Sequence, residues 1–385
     1  MRTVLLGEVA QINPKPPRIS EDTEVAFVGM ADLDATQAKT SSGQVRRFLG
    51  VSKGYTVFQN ADILVAKITP CFENNKIGQA RLQRETGVGS TEFHVIRPGG
   101  HLDDRYLLHF LRQDRIRRQG EVRMTGSAGQ RRVPVAFLQE LKIPLPSLDE
   151  QRRIAAILDQ ADKMRDSARL AQQDVTLAEA TVTRQFFDEQ AAADRLPLES
   201  ASEKVVVGHV GPTTEYFTQD GVPFLRTGNI GAGQVSLEDI AEVTHEFHAR
   251  LKKSQLKTGD VLISRVISDR VRSAILPPEL DGANCANIIV VRPSQSLRAE
   301  VITGYLSLPE TQYELLGRKV GSAQSVVNTG VLKSLLVPVP SIDAQRAFCE
   351  VKNKINRLRT QIADSERTLS ELFASLQTRA FAGQL

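Results

Sequence analysis

The chain has 385 residues, 41% hydrophobic and 24% charged, with a formal net charge of +4. That is enough for two domains with cores of their own, and its apolar and charged fractions are ordinary for a globular protein. No stretch approaches a membrane span, and Glu8 comes too early for a signal peptide. Cys71, Cys285 and Cys349 are far apart and form no C-x-x-C pair, which points to a reducing, cytoplasmic setting and against a zinc site.

Charge is unevenly spread. Residues 1–148 carry 21 Lys/Arg against 15 Asp/Glu, residues 149–195 carry 7 against 10, residues 196–340 carry 14 against 15, and residues 341–385 carry 7 against 5. A basic first segment is compatible with a polyanionic partner.

The first globular segment, residues 1–148, predicts strands at Glu24–Val28, Asp62–Ile68 and Glu92–Arg97, bounded by Gly, Pro and Asn turns. A helix is predicted over Asp104–Gln119, with Leu107, Leu108 and Leu111 inward and Arg105, Arg112, Arg115, Arg117 and Arg118 largely outward. A polar loop, Thr125–Val133, precedes the string Ile143-Pro144-Leu145-Pro146-Ser147-Leu148-Asp149-Glu150-Gln151-Arg152-Arg153-Ile154. A long helix is expected to follow, over residues 149–190.

The chain then repeats itself. The segment 196–340 returns Val222–Arg226 for the strand around Phe27, and Thr258–Arg265 for Asn60–Lys67. It also returns Asn287–Pro293 for His94–Pro98, and the Gly321 loop for the Gly126 loop. The string itself recurs as Val337-Pro338-Val339-Pro340-Ser341-Ile342-Asp343-Ala344-Gln345-Arg346, before a second long helix over residues 341–381. One duplicated domain accounts for all of this.

Both long helices carry a seven-residue apolar period. In the first it runs through Ile154, Ala161, Ala168, Val175 and Val182, with a second column three residues on at Ile157, Met164, Ala171, Ala178 and Gln185. In the second it runs through Phe348, Ile355, Ile362, Leu369 and Leu376, with Val351, Leu358, Ser365, Leu372 and Arg379 beside it. An Ala-rich seam facing a Leu/Ile/Phe-rich one, together with the connectivity, predicts an antiparallel coiled coil. The expected fold class is α+β: two similar α/β domains joined by two long helices with pseudo-two-fold symmetry.

The duplicated P-x-P-S-hydrophobic-D-x-Q-R string, the long helices and the ending Phe381-Ala382-Gly383-Gln384-Leu385 resemble the DNA specificity subunit of Type I restriction–modification systems. The resemblance implies two target recognition domains that read a split, asymmetric sequence in double-stranded DNA. It implies a non-catalytic subunit that docks two adenine methyltransferase subunits and two ATP-dependent restriction subunits. No cofactor would sit on this chain; S-adenosylmethionine, ATP and Mg²⁺ would sit on the partners. Docking falls on the string, at Glu150, Gln151, Arg152, Arg153, Gln345 and Arg346, with Ala344 and Ala347 replacing Glu150 and Arg153 in the second copy.

Catalytic motifs are missing from the sequence. There is no G-x-x-x-x-G-K-[ST] loop, and Asn13-Pro14-Lys15-Pro16 lacks the aromatic of an adenine methyltransferase motif. Asp62 and Asp260 read as turn closers before buried strands, and His245 and His248 as helix or loop histidines rather than metal ligands. For DNA, Arg can bond guanine and Asn or Gln adenine with two hydrogen bonds. Candidates of this kind are Lys67, Thr69, Asn74 and Asn75 after one strand, and Gln130, Arg131 and Arg132 in the loop. In the second half they are Arg226, Asn229, Arg265 and Ser268, with Gln324, Ser325 and Asn328. A scaffold that binds only proteins is the alternative from another class.

Overall fold

The computed structural model describes residues 2–41, 43–127, 129–231, 233–266, 270–317 and 326–385. The expected sites Ser268, Gln324 and Ser325 lie outside these residues. Two compact units emerge: Met1–Ala171 with Ile362–Leu385, and Gln172–Gln361. Each therefore takes in a globular part and half of both long helices, a different division from the four consecutive segments expected.

The first unit opens with β1 (Thr3–Leu5), α1 (Leu6–Val9), β2 (Ala10–Ile12), β3 (Glu24–Val28), β4 (Leu33–Asp34), β5 (Lys39–Thr40) and β6 (Gln44–Arg47). Next come β7 (Thr56–Gln59), β8 (Ile63–Ala66), β9 (Ile77–Gln79), β10 (Thr86–Gly89) and β11 (Phe93–Pro98). Then follow α2 (Asp104–Leu111), α3 (Asp114–Arg123), α4 (Val135–Gln139), β12 (Lys142–Pro144) and the start of α5 (Leu148–Glu189). The strands form a four-stranded sheet β6-β3-β10-β7, a six-stranded sheet β2-β11-β8-β9-β5-β4, and the pair β1-β12. β8 reads as an unbroken apolar run because it is covered on both faces: Ile63 and Val65 join one core, Leu64 and Ala66 another.

The second unit follows a similar order with β13 (Arg195–Pro197), β14 (Ser202–Val207), β15 (Phe217–Thr218), β16 (Val222–Leu225), β17 (Ala241–Val243) and α6 (His245–Arg250). β18 (Val261–Ser264), β19 (Ser273–Ile275), β20 (Asn284–Cys285) and β21 (Ile288–Pro293) complete its two four-stranded sheets, β14-β21-β18-β19 and β15-β17-β16-β20. Helices α7 (Ala299–Ser307), α8 (Pro309–Gly317) and α9 (Thr329–Ser334) lead to β22 (Leu336–Pro338), which pairs with β13, and to α10 (Ile342–Ala382). Val261 and Ile263 face one core and Leu262 another, as in β8.

Asp62 and Asp260 close turns, as expected, and do more. Asp62 accepts from the Gln59 amide at 2.7 Å and from the Arg97 guanidinium at 2.8 and 2.7 Å. Asp260 repeats this with the Lys257 amide at 2.8 Å and Arg292 at 2.8 and 2.7 Å. Each bond to a carboxylate holds its arginine above the ordinary guanidinium value. These two-pronged pairs tie the start of β8 to the end of β11, and β18 to β21.

The helix expected over Asp104–Gln119 is in fact two. Gln113 is extended, at φ −64° and ψ 135°, and its side chain donates to the Phe110 carbonyl, so α2 stops and α3 restarts. The break matters for the arginines, which are not simply outward. Arg105 bonds Asp159 of α5 at 3.1 Å, and Arg112 reaches Asp162 at 3.2 Å and the Ala35 carbonyl at 2.9 Å. Arg117 pairs with Asp114 and Glu121, Arg115 donates to the Gln113 side chain at 2.8 Å, and Arg118 is exposed.

In the first unit, α5 and α10 run antiparallel: Arg153 donates to the Leu385 carbonyl at 2.7 Å, and Arg165 lies over the Phe373 ring at 4.6 Å. In the second unit Glu179 meets Lys352 and Arg359, and Phe186 stacks on Phe348 at 4.2 Å. The column through Ile154, Ala161 and Val175 is buried, and Ile355, Ile362 and Leu369 in α10 are half-buried. The companion column expected three residues further on is corrected. Met164, Leu358 and Leu372 are 46%, 47% and 47% exposed, and Ile157 is only half-buried. The real companions lie four residues on: Leu158, Arg165, Glu179 and Phe186, with Lys352, Arg359 and Phe373 in α10. Hydrophobicity misled here because the middle of the seam is polar. Charged side chains that pair or lie on rings can occupy buried seam positions.

Candidate nucleic-acid interface

In the first unit the backbone gathers most of the expected DNA-contacting residues. The Val133 amide donates to the Lys67 carbonyl at 2.9 Å, the Thr69 amide to the Arg131 carbonyl at 3.0 Å, and Ile68 bridges Arg132. The loop holding Gln130, Arg131 and Arg132 is thereby laid against the chain leaving β8. Its cations are moderated by acids. Arg132 forks onto Glu92 at 2.9 and 2.8 Å, and that bond holds the Glu92 carboxyl below its usual range. Arg131 approaches Glu73 at 3.6 Å, and the Thr69 hydroxyl donates to Glu73 at 2.9 Å. Asn74 is exposed beside them.

The second unit gathers fewer of its candidates. Arg265 takes the place of Lys67: the Val327 amide donates to its carbonyl at 2.8 Å, and Val266 bridges Val326. Arg226 is exposed but belongs to the other sheet, where it donates to the Asp239 carbonyl at 3.1 Å. Asn229 is corrected: it is buried, accepting from the Arg226 amide at 2.9 Å and donating to the Glu238 carbonyl at 3.2 Å. Both ends of its amide are used in holding a turn. Asn75 likewise donates to the Arg112 carbonyl, and Asn328 caps α9.

Gln151 and Gln345 are also corrected as docking residues, because both are fully buried. The Gln151 side chain accepts from the Asp103 amide at 2.8 Å and donates to the His101 and Pro146 carbonyls at 3.0 Å each. Gln345 does the same with the Arg298 amide at 2.9 Å and the Ser296 and Pro340 carbonyls at 2.8 Å each. They fasten each long helix to its own globular part. Glu150 and Arg153 pair with each other at 2.8 Å, while Arg152 and Arg346 stay exposed.

Residues that sequence reasoning missed lie around β6. Its edge is fully exposed, and the Arg46 guanidinium sits 3.9 Å above the Phe27 ring, with Tyr55 edge-on to that ring at 5.1 Å. Two adjacent arginines followed by Phe48 are the available signal. Asn13 bonds His94 at 3.1 Å and accepts from the Val95 amide at 3.0 Å, so it is a structural residue. His248 contacts Gln255 and Asn284.

Two buried histidines give the first unit a pH dependence. Burial pushes His94 and His109 below the ordinary imidazole value. His109 touches Asp159, whose carboxyl burial alone would raise; the His109 and Arg105 contacts outweigh that and hold it well below the usual carboxylate range. The unfolded chain takes up protons on these imidazoles at higher pH than the fold does. Their contribution is complete above about pH 6.5 and is lost as pH falls below it, by up to about 1.4 kcal/mol per pH unit for each histidine. Thermal unfolding followed from pH 7.5 to 5 should show a falling midpoint, with a shallower slope in a His94→Gln, His109→Gln variant. A midpoint independent of pH would refute it.

Fold and site together define a class: a protein of two α/β units built to a similar plan, each carrying a cation beside the same strand end and fastened by the same glutamine to a long helix. Residues 1–173 match the family model "Type I restriction modification DNA specificity domain". Over these residues the chain is similar to that family. It is 40% identical over 177 residues to the EcoAI specificity subunit of Escherichia coli, a match covering 46% of this chain and 30% of the relative. It is 22% identical over 330 residues to the MjaVIII specificity subunit of Methanocaldococcus jannaschii, covering 80% and 77%. The Type I S subunit of M. genitalium shares the fold, with a TM-score of 0.59 at 14% identity over 99% of this chain and 96% of that one. The matched region spans only 30% of the length of the E. coli relatives EcoAI and EcoEI.

Proposed function

We propose that this chain is a non-catalytic DNA specificity subunit of a Type I restriction–modification complex. In this reading each unit is a target recognition domain for one half of a bipartite, asymmetric sequence in double-stranded DNA. Helices α5 and α10 form a coiled-coil spacer between them, with pseudo-two-fold symmetry. The observation that carries the reading is the specificity-domain match over residues 1–173, supported by the same pattern of pairs and bridges in the second unit.

The partners are adenine methyltransferase and ATP-dependent restriction subunits, two of each, which would bring S-adenosylmethionine, ATP and Mg²⁺ in a cytoplasmic complex. The EcoAI relative is, by name, a subunit of a Type I restriction enzyme. Docking suits the surface of the long helices, where Arg152 and Arg346 are exposed together with Met164, Leu358 and Leu372. A partner covering such apolar positions would gain about 25 cal/mol per Å² buried.

Methylome sequencing of the host with and without this chain tests the proposal. A bipartite adenine-methylated motif that vanishes with the chain is expected. If methylation is the same without the chain, the scaffold reading takes its place.

A further inference from the structure

The first unit holds a cleft of about 400 Å³ between its two larger sheets. Its floor is Phe93 and Val95 of β11, and its sides are Phe48, Tyr55 and Val57 on one hand and Pro14 on the other. Lys67 lines it too, half-buried. Among the described residues no hydrogen bond or ion pair engages the Lys67 ammonium. Its neighbour Glu92, by contrast, is already bound to Arg132. Lys67 is only half-buried, so water can meet its three N–H donors in the free protein, and a ligand oxygen or nitrogen entering the cleft can take the place of that water.

Two further observations say which ligand. The cleft is continuous with the candidate DNA surface, because the Lys67 carbonyl holds Val133 at the end of the Gln130–Arg132 loop. Arg46, Arg47 and Lys53 are exposed and adjoin the lining residues Phe48 and Ser52 in sequence, which adds cations suited to phosphates. In the second unit the equivalent position again holds a cation, Arg265, fixed by the same main-chain bond. An apolar wall beside a single strong donor matches a base that shows a keto oxygen in the major groove. Thymine offers O4 next to its methyl group, and guanine offers O6 and N7. Cytosine presents only an amino donor there, and adenine sets its amino group beside N7, so a keto base is the fuller match for the ammonium.

We propose that this cleft is where the first unit reads one keto base, thymine or guanine, of the DNA target, with the Lys67 ammonium donating to the keto oxygen and Tyr55 and Phe48 enclosing the base edge. The assignment rests on the specificity-subunit reading above and adds a specificity-determining residue and its base class.

Methylome sequencing of a host carrying wild-type chain, Lys67→Met or Lys67→Arg is the test. In Lys67→Met one thymine or guanine position in one half of the bipartite motif should become degenerate. The preference there should fall by about tenfold, with the other half unchanged and the preference largely restored in Lys67→Arg. Relaxation at an adenine or cytosine position, or a motif unchanged in both halves, overturns the proposal. So does loss of both halves in Lys67→Met and Lys67→Arg alike, since that marks a structural role. A wild-type host with no bipartite motif would instead refute the specificity-subunit reading itself.

Discussion

Removing one heptad from each long helix should shorten the non-specific gap of the methylated target by about three base pairs. Seven residues at 1.5 Å rise are about 10 Å of helix, and duplex DNA advances about 3.4 Å per base pair. The segments to delete are Ala168–Asp174 and Asp364–Ser370, opposite one another by the register that places Arg165 on Phe373. A whole heptad keeps the buried columns in phase, drifting by only about 20°. Three base pairs turn the duplex by about a third of its 10.5-base-pair repeat, so the shortened target should also be bound more weakly. Deleting the heptad from α5 alone puts the seam out of register on one side of the cut, so the Arg165–Phe373 contact and the pairs of Glu179 with Lys352 and Arg359 can no longer all form. That variant should lose methylation altogether. A double deletion that still methylates the original gap would end the idea that the helices act as a ruler.

Much of this was legible in the chain. Strands β3, β8 and β11 and their counterparts β16, β18 and β21 were readable because a short apolar run between turn residues has few other uses. The long helices were readable because forty residues in a seven-residue period leave no room for another structure. What the sequence hid was which of two adjacent columns faces inward. Ile157 and Met164 look like seam residues, and Arg165 and Glu179 do not. Burial depends on the partner each charge finds, Phe373 for Arg165 and the Lys352–Arg359 pair for Glu179, and those partners are nearly two hundred residues away.

The site was legible in part, for a related reason. Lys67, Thr69 and Gln130–Arg132 were singled out as polar groups on separate loops, and main-chain bonds bring them together. Asn229 carries the same amide but spends it on a turn. Residue type states which bonds a side chain can make, and only the fold states which are already made. Tyr55 and Arg46 are missed for the converse reason: both meet at the Phe27 ring of β3, and Arg46 reaches it through the pairing of β6 with β3, a register that no local pattern announces.

The buried glutamines turn that distinction into a measurement. Gln151→Met fills nearly the same space but leaves the Asp103 amide and the His101 and Pro146 carbonyls without their partner. A stranded buried group costs about 1–3 kcal/mol, and water reaches these part-buried partners in part, so about 1–3 kcal/mol of stability should be lost. Gln345→Met should cost a similar amount, since its three partners are the equivalent groups in the second unit. Arg152→Ala should leave unfolding within about 0.5 kcal/mol of wild type, since Arg152 is two-thirds exposed and among the described residues pairs only with Asp149, at 3.5 Å. Chemical denaturation of the three variants separates a fastener from a docking contact. If Gln151→Met unfolds like wild type while partner assembly fails, the glutamine belongs to the partner surface after all. If it unfolds early and assembly recovers at low temperature, its work is to hold the helix on its own domain.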